Sequence, residues 1–295
     1  MEHFVHLNGA VVARDEAAIP VGDRGFLFAD AVYEGMGVLD GQVVDFLHHM
    51  ERLERSLREI SIEVEQSADD WWGLLMELVE RNEIDAGFAY LHITRGVGVE
   101  RDYVYPAGLT PSVFAFIERH PGPGPADAVA GIALATAPDL RWARRDIKTP
   151  NLLGQVLAKQ HAAAQGRDEA LLVTSDGLIT ECGSSSFFIV RDGALITRPL
   201  SHDILGGVTR RAVIAVAERL DLAVEERVVG LDEAQAADEA FATAASTYVQ
   251  PVVSIDGEPV GAGVPGPVAL AVREEYLRMV RASFHTPAEP CSTDD

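Results

Sequence analysis

The chain has 295 residues, 47% of them hydrophobic, 24% charged and 7% aromatic, a balance that buries a core and excludes disorder along the whole length. Its 24 basic residues against 46 acidic ones give a formal net charge of −22, which repels phosphate backbones and anionic lipid, so neither nucleic acid nor membrane is expected as a partner. Two cysteines, Cys182 and Cys291, cannot build a disulfide framework at this size and suit a reducing cytoplasm.

The opening residues lack the basic and apolar stretches of a signal peptide, and no apolar run approaches the roughly 20 residues of a membrane helix. Residues 3–14 alternate about Asn8-Gly9, which predicts a hairpin. A second hairpin is expected from Ala31–Leu39 through Asp40-Gly41 to Val43–Phe46. Leu47, Met50, Leu53, Leu57 and Ile60 recur at helical spacing, predicting a helix over 46–60. Trp72, Leu75, Met76 and Val79 predict another over 70–82, with strands at 88–95 and 112–118. His120-Pro-Gly-Pro-Gly-Pro125 can continue neither helix nor ladder. It is read as a linker over 120–126 between a small N-terminal α/β domain, 1–119, and a larger domain, 127–284.

In that larger domain a strand is expected at 129–137, a loop at 138–151 and a helix at 153–165 closed by Gly166. Three strands with turns at Asp176-Gly177 and Asp192-Gly193 follow, then a helix opened by Gly206-Gly207 and ending at Leu220. Strands near 223–229, 239–245 and 251–261 and a helix at 267–281 complete it, and the polar tail 285–295 is expected to be disordered. The repeated Asp-Gly turns favour antiparallel or mixed sheets, so the fold class is α/β of the α+β type.

Only Lys148 and Lys159 are lysines among the 24 basic residues. Arginine cannot replace lysine where an amine must lose its proton and attack carbon, so each lysine is a candidate. Lys148 lies in a loop beside Arg144 and Arg145, whose charges would favour its neutral, nucleophilic form; Lys159 falls inside a helix, where a solvated surface role suffices. Glu181, followed by Gly183 and three serines, is either a strand-end acid capping a turn or a carboxylate that a flat ligand can approach. Gly206-Gly207-Val208-Thr209 opens a helix and offers N–H groups to an anion. Arg52 is a surface ion-pair partner or a phosphate ligand. There is no HExxH, no GxGxxG and no GxSxG, so a metal site, a Rossmann fingerprint and a hydrolase elbow are not expected.

Taken together, Asp23–Glu34, His49-Met-Glu-Arg-Leu53, Thr94-Arg-Gly96, Asp146-Ile-Lys148 with Asn151–Gly154, Thr180–Ser186 and Ile204–Arg210 resemble the fold-type IV transaminases, which use pyridoxal 5′-phosphate (PLP). Within that family the match is nearest to the branch acting on D-amino acids. The resemblance spans Asn8 to Arg281 and implies a two-domain fold whose larger domain carries mixed, barrel-like sheets. It implies that Lys148 forms the Schiff base with the cofactor and shuttles the proton, and that Glu181 bonds the pyridine nitrogen. Arg52, with the N–H groups of Val208 and Thr209, falls on the phosphate cup, and Leu205 falls against the ring. Tyr33 and Arg101 fall on residues that hold the substrate carboxylate.

The chain departs from the pattern twice. Arg101-Asp102-Tyr103 puts a tyrosine where that branch has histidine, and Thr243-Ala-Ala-Ser246 has alanines where the family offers hydroxyls, leaving Ser246 to supply one. The resemblance implies transfer of an amino group between a D-amino acid, such as D-alanine or D-glutamate, and 2-oxoglutarate or pyruvate, in a cytoplasmic homodimer. Branched-chain L-amino acid transaminases, (R)-amine transaminases and aminodeoxychorismate lyases share the scaffold and are the alternatives. A regulatory protein that keeps the fold without catalysis would not need both Lys148 and Glu181.

Overall fold

The computed structural model describes residues 3–98, 100–124 and 128–286. The chain divides into two compact units, one running to His120 and taking back the chain from Val280 on, the other Pro121–Met279.

In the first unit β1 (Phe4–Leu7) and β2 (Ala10–Ala13) form the expected hairpin, with φ of 49° at Asn8 and 87° at Gly9, values those two residues tolerate. α1 (Arg24–Phe28) is capped by the Asp23 carboxylate, which accepts from Gly25 N. β3 (Ala31–Leu39) and β4 (Gln42–Val43) precede α2 (Phe46–Glu59), α3 (Ala68–Arg81), β5 (Gly87–Thr94) and β6 (Ser112–Arg119). The strands order as β2-β1-β6-β5-β3-β4, all antiparallel. α2 packs on β3 and α3 on β1 and β6, which buries Phe46, Met50, Leu53 and Leu57 of the first helix and Trp71, Leu75 and Leu78 of the second.

Three sequence expectations change here. The return strand of the second hairpin is only two residues long, because Phe46 is drawn into α2. α1 was not anticipated, since five residues are too few to show a helical stripe. His285, placed at the start of a disordered tail, packs its ring against Phe46 and Trp72 with centroids 5.1 and 4.8 Å away. The remaining tail, 287–295, linker residues 125 and 126, and residue 127 of the expected larger domain lie outside the described residues.

In the second unit β7 (Ile132–Pro138), α4 (Leu153–Ala164), β8 (Glu169–Val173), β9 (Leu178–Cys182), β10 (Ser186–Arg191) and β11 (Ala194–Thr197) lead to α5 (Val208–Arg219). β12 (Val224–Glu226), β13 (Val229–Gly230), α6 (Leu231–Gln235), β14 (Glu239–Ala244), β15 (Tyr248–Ile255), β16 (Glu258–Pro259) and α7 (Pro267–Ala282) follow, the last helix belonging to this unit as far as Met279. The sheet runs β12-β11-β10-β14-β15-β7-β8-β9-β13, with β16 on β15. It is mixed, as the turn chemistry suggested: β7 is parallel to β8 and β15, and β11 to β12.

Four strands stand between 167 and 200 where three were expected. Gly183-Ser184-Ser185 turns the chain, Cys182 N donating to Ser185 O, and so separates β9 from β10. Leu134, Leu171, Ile189, Ile196, Val252 and Ile255 centre the core, and Ala158 and Ala162 bring α4 down on the alanines of β7 and β8.

Candidate active site

Two connections of the second unit converge on one carboxylate of β9. Glu181 stands near the end of β9 and is buried. Its Oε1 accepts from Arg141 Nη1, on the loop after β7. Leu205 N, on the segment leading into α5, lies 3.2 Å from Oε1 and 3.3 Å from Oε2. Burial pushes the Glu181 carboxyl up, against the pull of the Arg141 guanidinium and the Leu205 N–H. Leu205 itself is half-buried, and its backbone serves Glu181.

Lys148 is half-buried in the same β7–α4 loop, and its neighbours are pinned. Arg144 makes a two-pronged pair with Asp146 at 2.9 and 3.0 Å, Ile147 is buried, and Thr149 N donates to Ile147 O. A catalytic amine needs such a mount, fixed on both sides. Lys159, the other lysine, is engaged on α4: Nζ donates to Glu169 Oε2 at 3.0 Å and Ser184 Oγ at 3.1 Å.

The N-terminus of α5 has no side-chain cap, and Val208 and Thr209 in its first turn are buried. A Cβ on Gly207 would stand 2.7 Å from Ser186 Oγ, so any larger residue here would push that hydroxyl aside. Ser186 pairs directly with Thr243 of β14, which puts both hydroxyls on one face. Thr243 Oγ1 is buried without a hydrogen-bond partner among the described residues. Ser246 is exposed in the turn after β14, and the buried hydroxyl of that segment is that of Thr243.

Tyr33, Arg52, Arg101 and Tyr103 belong to the first unit. Arg52 Nε and Nη2 donate to Glu34 Oε1 and Oε2 at 2.8 and 2.6 Å, and His49 Nδ1 lies 2.7 Å from Oε2. Burial pushes Glu34 up, yet Arg52 and His49 hold its carboxyl down at about 2. Tyr33, half-buried on β3, sets its ring 5.2 Å from that of Tyr90, whose hydroxyl lies 2.9 Å from His92 Nδ1. Arg101 and Tyr103 are exposed, the guanidinium 5.0 Å from the Phe28 ring and 5.7 Å from that of Tyr103. Arg24 holds their loop by donating to the carbonyls of Asp102 and Tyr103 at 2.6 and 3.2 Å. The Asp102 carboxylate is turned to its own backbone, accepting from Val104 N.

Sequence reasoning passed over Arg141 and Asp139, and read Ser186 only as part of the serine run after Glu181. The residues fit PLP. An uncapped helix end beside an unpartnered buried hydroxyl suits a phosphate, and a buried carboxylate suits a protonated ring nitrogen. Among the described residues no group of three or more His, Cys, Asp or Glu side chains converges to hold a metal. No helix among them is long and apolar enough to cross a membrane.

A family model described as Amino-transferase class IV matches residues 31–255. A D-alanine aminotransferase from Bacillus licheniformis is 39% identical over 269 residues, 91% of this chain and 94% of that one. Among solved structures, the Escherichia coli branched-chain amino acid aminotransferase is similar with a TM-score of 0.87 at 26% identity, covering 95% of each chain. The branched-chain aminotransferase of Thermobaculum terrenum in its PLP form gives a TM-score of 0.84 at 26% identity, covering 95% of this chain and 94% of that one.

Proposed function

Because the chain belongs to the class IV aminotransferase family, we propose that it moves an amino group between a D-amino acid, such as D-alanine or D-glutamate, and a 2-oxo acid, 2-oxoglutarate or pyruvate, with PLP as cofactor. The observation that carries the choice of substrate is the likeness to D-alanine aminotransferases across nearly the whole chain, at a higher identity than to the branched-chain structures. When bound, PLP supplies an electron sink for the substrate carbon that gives up its proton.

Lys148 would hold the cofactor through its amine and carry the proton at the substrate carbon. Glu181 would accept from the ring nitrogen, kept in place by Leu205 N. Val208 and Thr209 N–H, the Thr243 hydroxyl and Arg52 would share the phosphate. Leu205 would back the ring, and Ser246, exposed in the turn after β14, would add a hydroxyl from that turn. Tyr33, Arg101 and Tyr103 are the donors we assign to the substrate carboxylate, Arg101 with the charge that selects an acid over a simple amine.

The exposed apolar stripe of α4, with Leu153, Val156 and Leu157 on one face, supports a homodimer, and the shortage of cysteines supports a cytoplasmic setting. The test is an assay of pyruvate from D-alanine and 2-oxoglutarate. Turnover with D-alanine and none with L-leucine is expected. The opposite pattern overturns the reading in favour of the branched-chain donors named for the structural relatives.

A further inference from the structure

Arg141 is planted between two buried carboxylates. Its side chain is 4% exposed and that of Glu181 7%. On one edge Nε and Nη2 grip Asp139 Oδ1 and Oδ2 at 2.9 and 2.8 Å, and Nη2 also lies 3.3 Å from Thr180 Oγ1 and from Asp203 O. The remaining nitrogen, Nη1, points to Glu181 Oε1. Thr180 donates to Asp139 Oδ2 at 2.7 Å and fixes that carboxylate in turn. A guanidinium is a planar fork, so gripping one edge aims the other.

The wider surroundings alternate in sign. Arg145 lies 3.5 Å from Asp139 and 3.1 Å from Asp203, and Arg198 lies 2.9 Å from Asp203. Arg141 is thus the cation in contact with Glu181, while Arg145 and Arg198 are spent on Asp139 and Asp203. A carboxyl buried this far takes a proton unless a charge or strong donors hold it ionised. Leu205 N, at 3.2 and 3.3 Å, is a long neutral contact and weaker than a charged one.

We propose that Arg141 is a positioning residue that keeps Glu181 ionised and aimed, so that a proton shared with the cofactor ring sits on the ring nitrogen and not on the carboxylate. This rests on the reading of Glu181 as the partner of that nitrogen. The proton can sit on the ring nitrogen, leaving an ion pair, or on the carboxyl oxygen, leaving a neutral pair. Arg141 touches the carboxylate and stands farther from any ring beyond it, so it favours the ion pair. No other bond changes.

The test uses the full chain loaded with PLP labelled with 15N in the ring. In the wild type the 15N shift at neutral pH is expected to be that of a protonated ring. In Arg141→Met it moves to that of an unprotonated, hydrogen-bonded ring, and PLP dissociation rises by about 10- to 100-fold, the loss of one charge-assisted hydrogen bond. Arg141→Lys, which keeps the charge but not the fork, falls between.

A ring still protonated in Arg141→Met overturns the proposal whatever the variant's activity. Should that variant fail to fold, an Arg141→Lys shift equal to that of the wild type overturns it. A wild type that takes up no PLP overturns the functional reading first and this proposal with it.

Discussion

Glu34 is fully enclosed, and its carboxylate receives a forked pair from Arg52 and a contact from His49 Nδ1. Glu34→Gln keeps the shape and removes the charge, leaving the guanidinium facing an amide that offers one acceptor and two donors. Glu34 titrates at about 2 in the fold instead of the ordinary 4.5, a difference worth about 3 kcal/mol. Breaking one side of a buried ion pair costs about the same, 3–5 kcal/mol.

The sign follows from the lowered value: the contribution is complete above pH 4.5 and disappears as the pH falls through about 2. Urea unfolding followed by tryptophan fluorescence reads it, since Trp71 and Trp72 lie in the first unit and only Trp142 lies in the second. At pH 7 the variant is expected to be about 3 kcal/mol less stable, and at pH 3 the gap is expected to narrow to about half. A gap below about 1 kcal/mol at pH 7, or one unchanged at pH 3, refutes the claim that the ionised carboxylate holds this corner together.

Thr243→Val replaces a buried, unpartnered hydroxyl by a methyl. The cofactor-free protein is expected to be unchanged or more stable by about 1 kcal/mol, and PLP to bind about 10-fold more weakly by equilibrium dialysis. Ser67→Ala removes the capping box in which Ser67 N donates to Asp70 Oδ2 at 2.8 Å and Asp70 N to Ser67 Oγ at 3.3 Å. A loss of about 1 kcal/mol in urea unfolding is expected. Leu157→Asp places a charge on the apolar stripe of α4. Light scattering is expected to show a dimer for the wild type and a monomer for this variant, and a monomeric wild type rules the dimer out.

Much of the fold is written in local signals. Asn8-Gly9 and the Asp-Gly pairs mark turns because few residues accept positive φ, and the α2 stripe is long enough to fix its period. Short elements escape such reading: α1 has five residues, and the break between β9 and β10 hides in a run of small residues that fits a strand or a turn.

The candidate site divides in the same way. Rarity singled out Lys148 and Lys159, and a loop position beside Arg144 and Arg145 set the first apart, both properties readable in the sequence. Arg141 did not stand out, because Arg141, Arg144 and Arg145 look alike in sequence, and only the fold turns the first inward while the side chain of Arg144 stays 34% exposed. The pairing of Glu181 with Leu205 joins positions far apart in the chain, which no window contains. Ser246 and Thr243 differ only by where β14 ends, the kind of boundary that propensity places poorly.

The grip of Arg24 on residues 102 and 103 is made through carbonyl oxygens. Every amino acid carries that oxygen, so the anchor does not depend on which side chains the loop displays. Replacing Tyr103 changes the donor shown to solvent without loosening the strap that carries it, whereas replacing Asp102 would also remove the bond its carboxylate accepts from Val104 N. Libraries that vary position 103, with Arg24 and Asp102 left alone, can therefore change the side chain displayed there at little risk to folding.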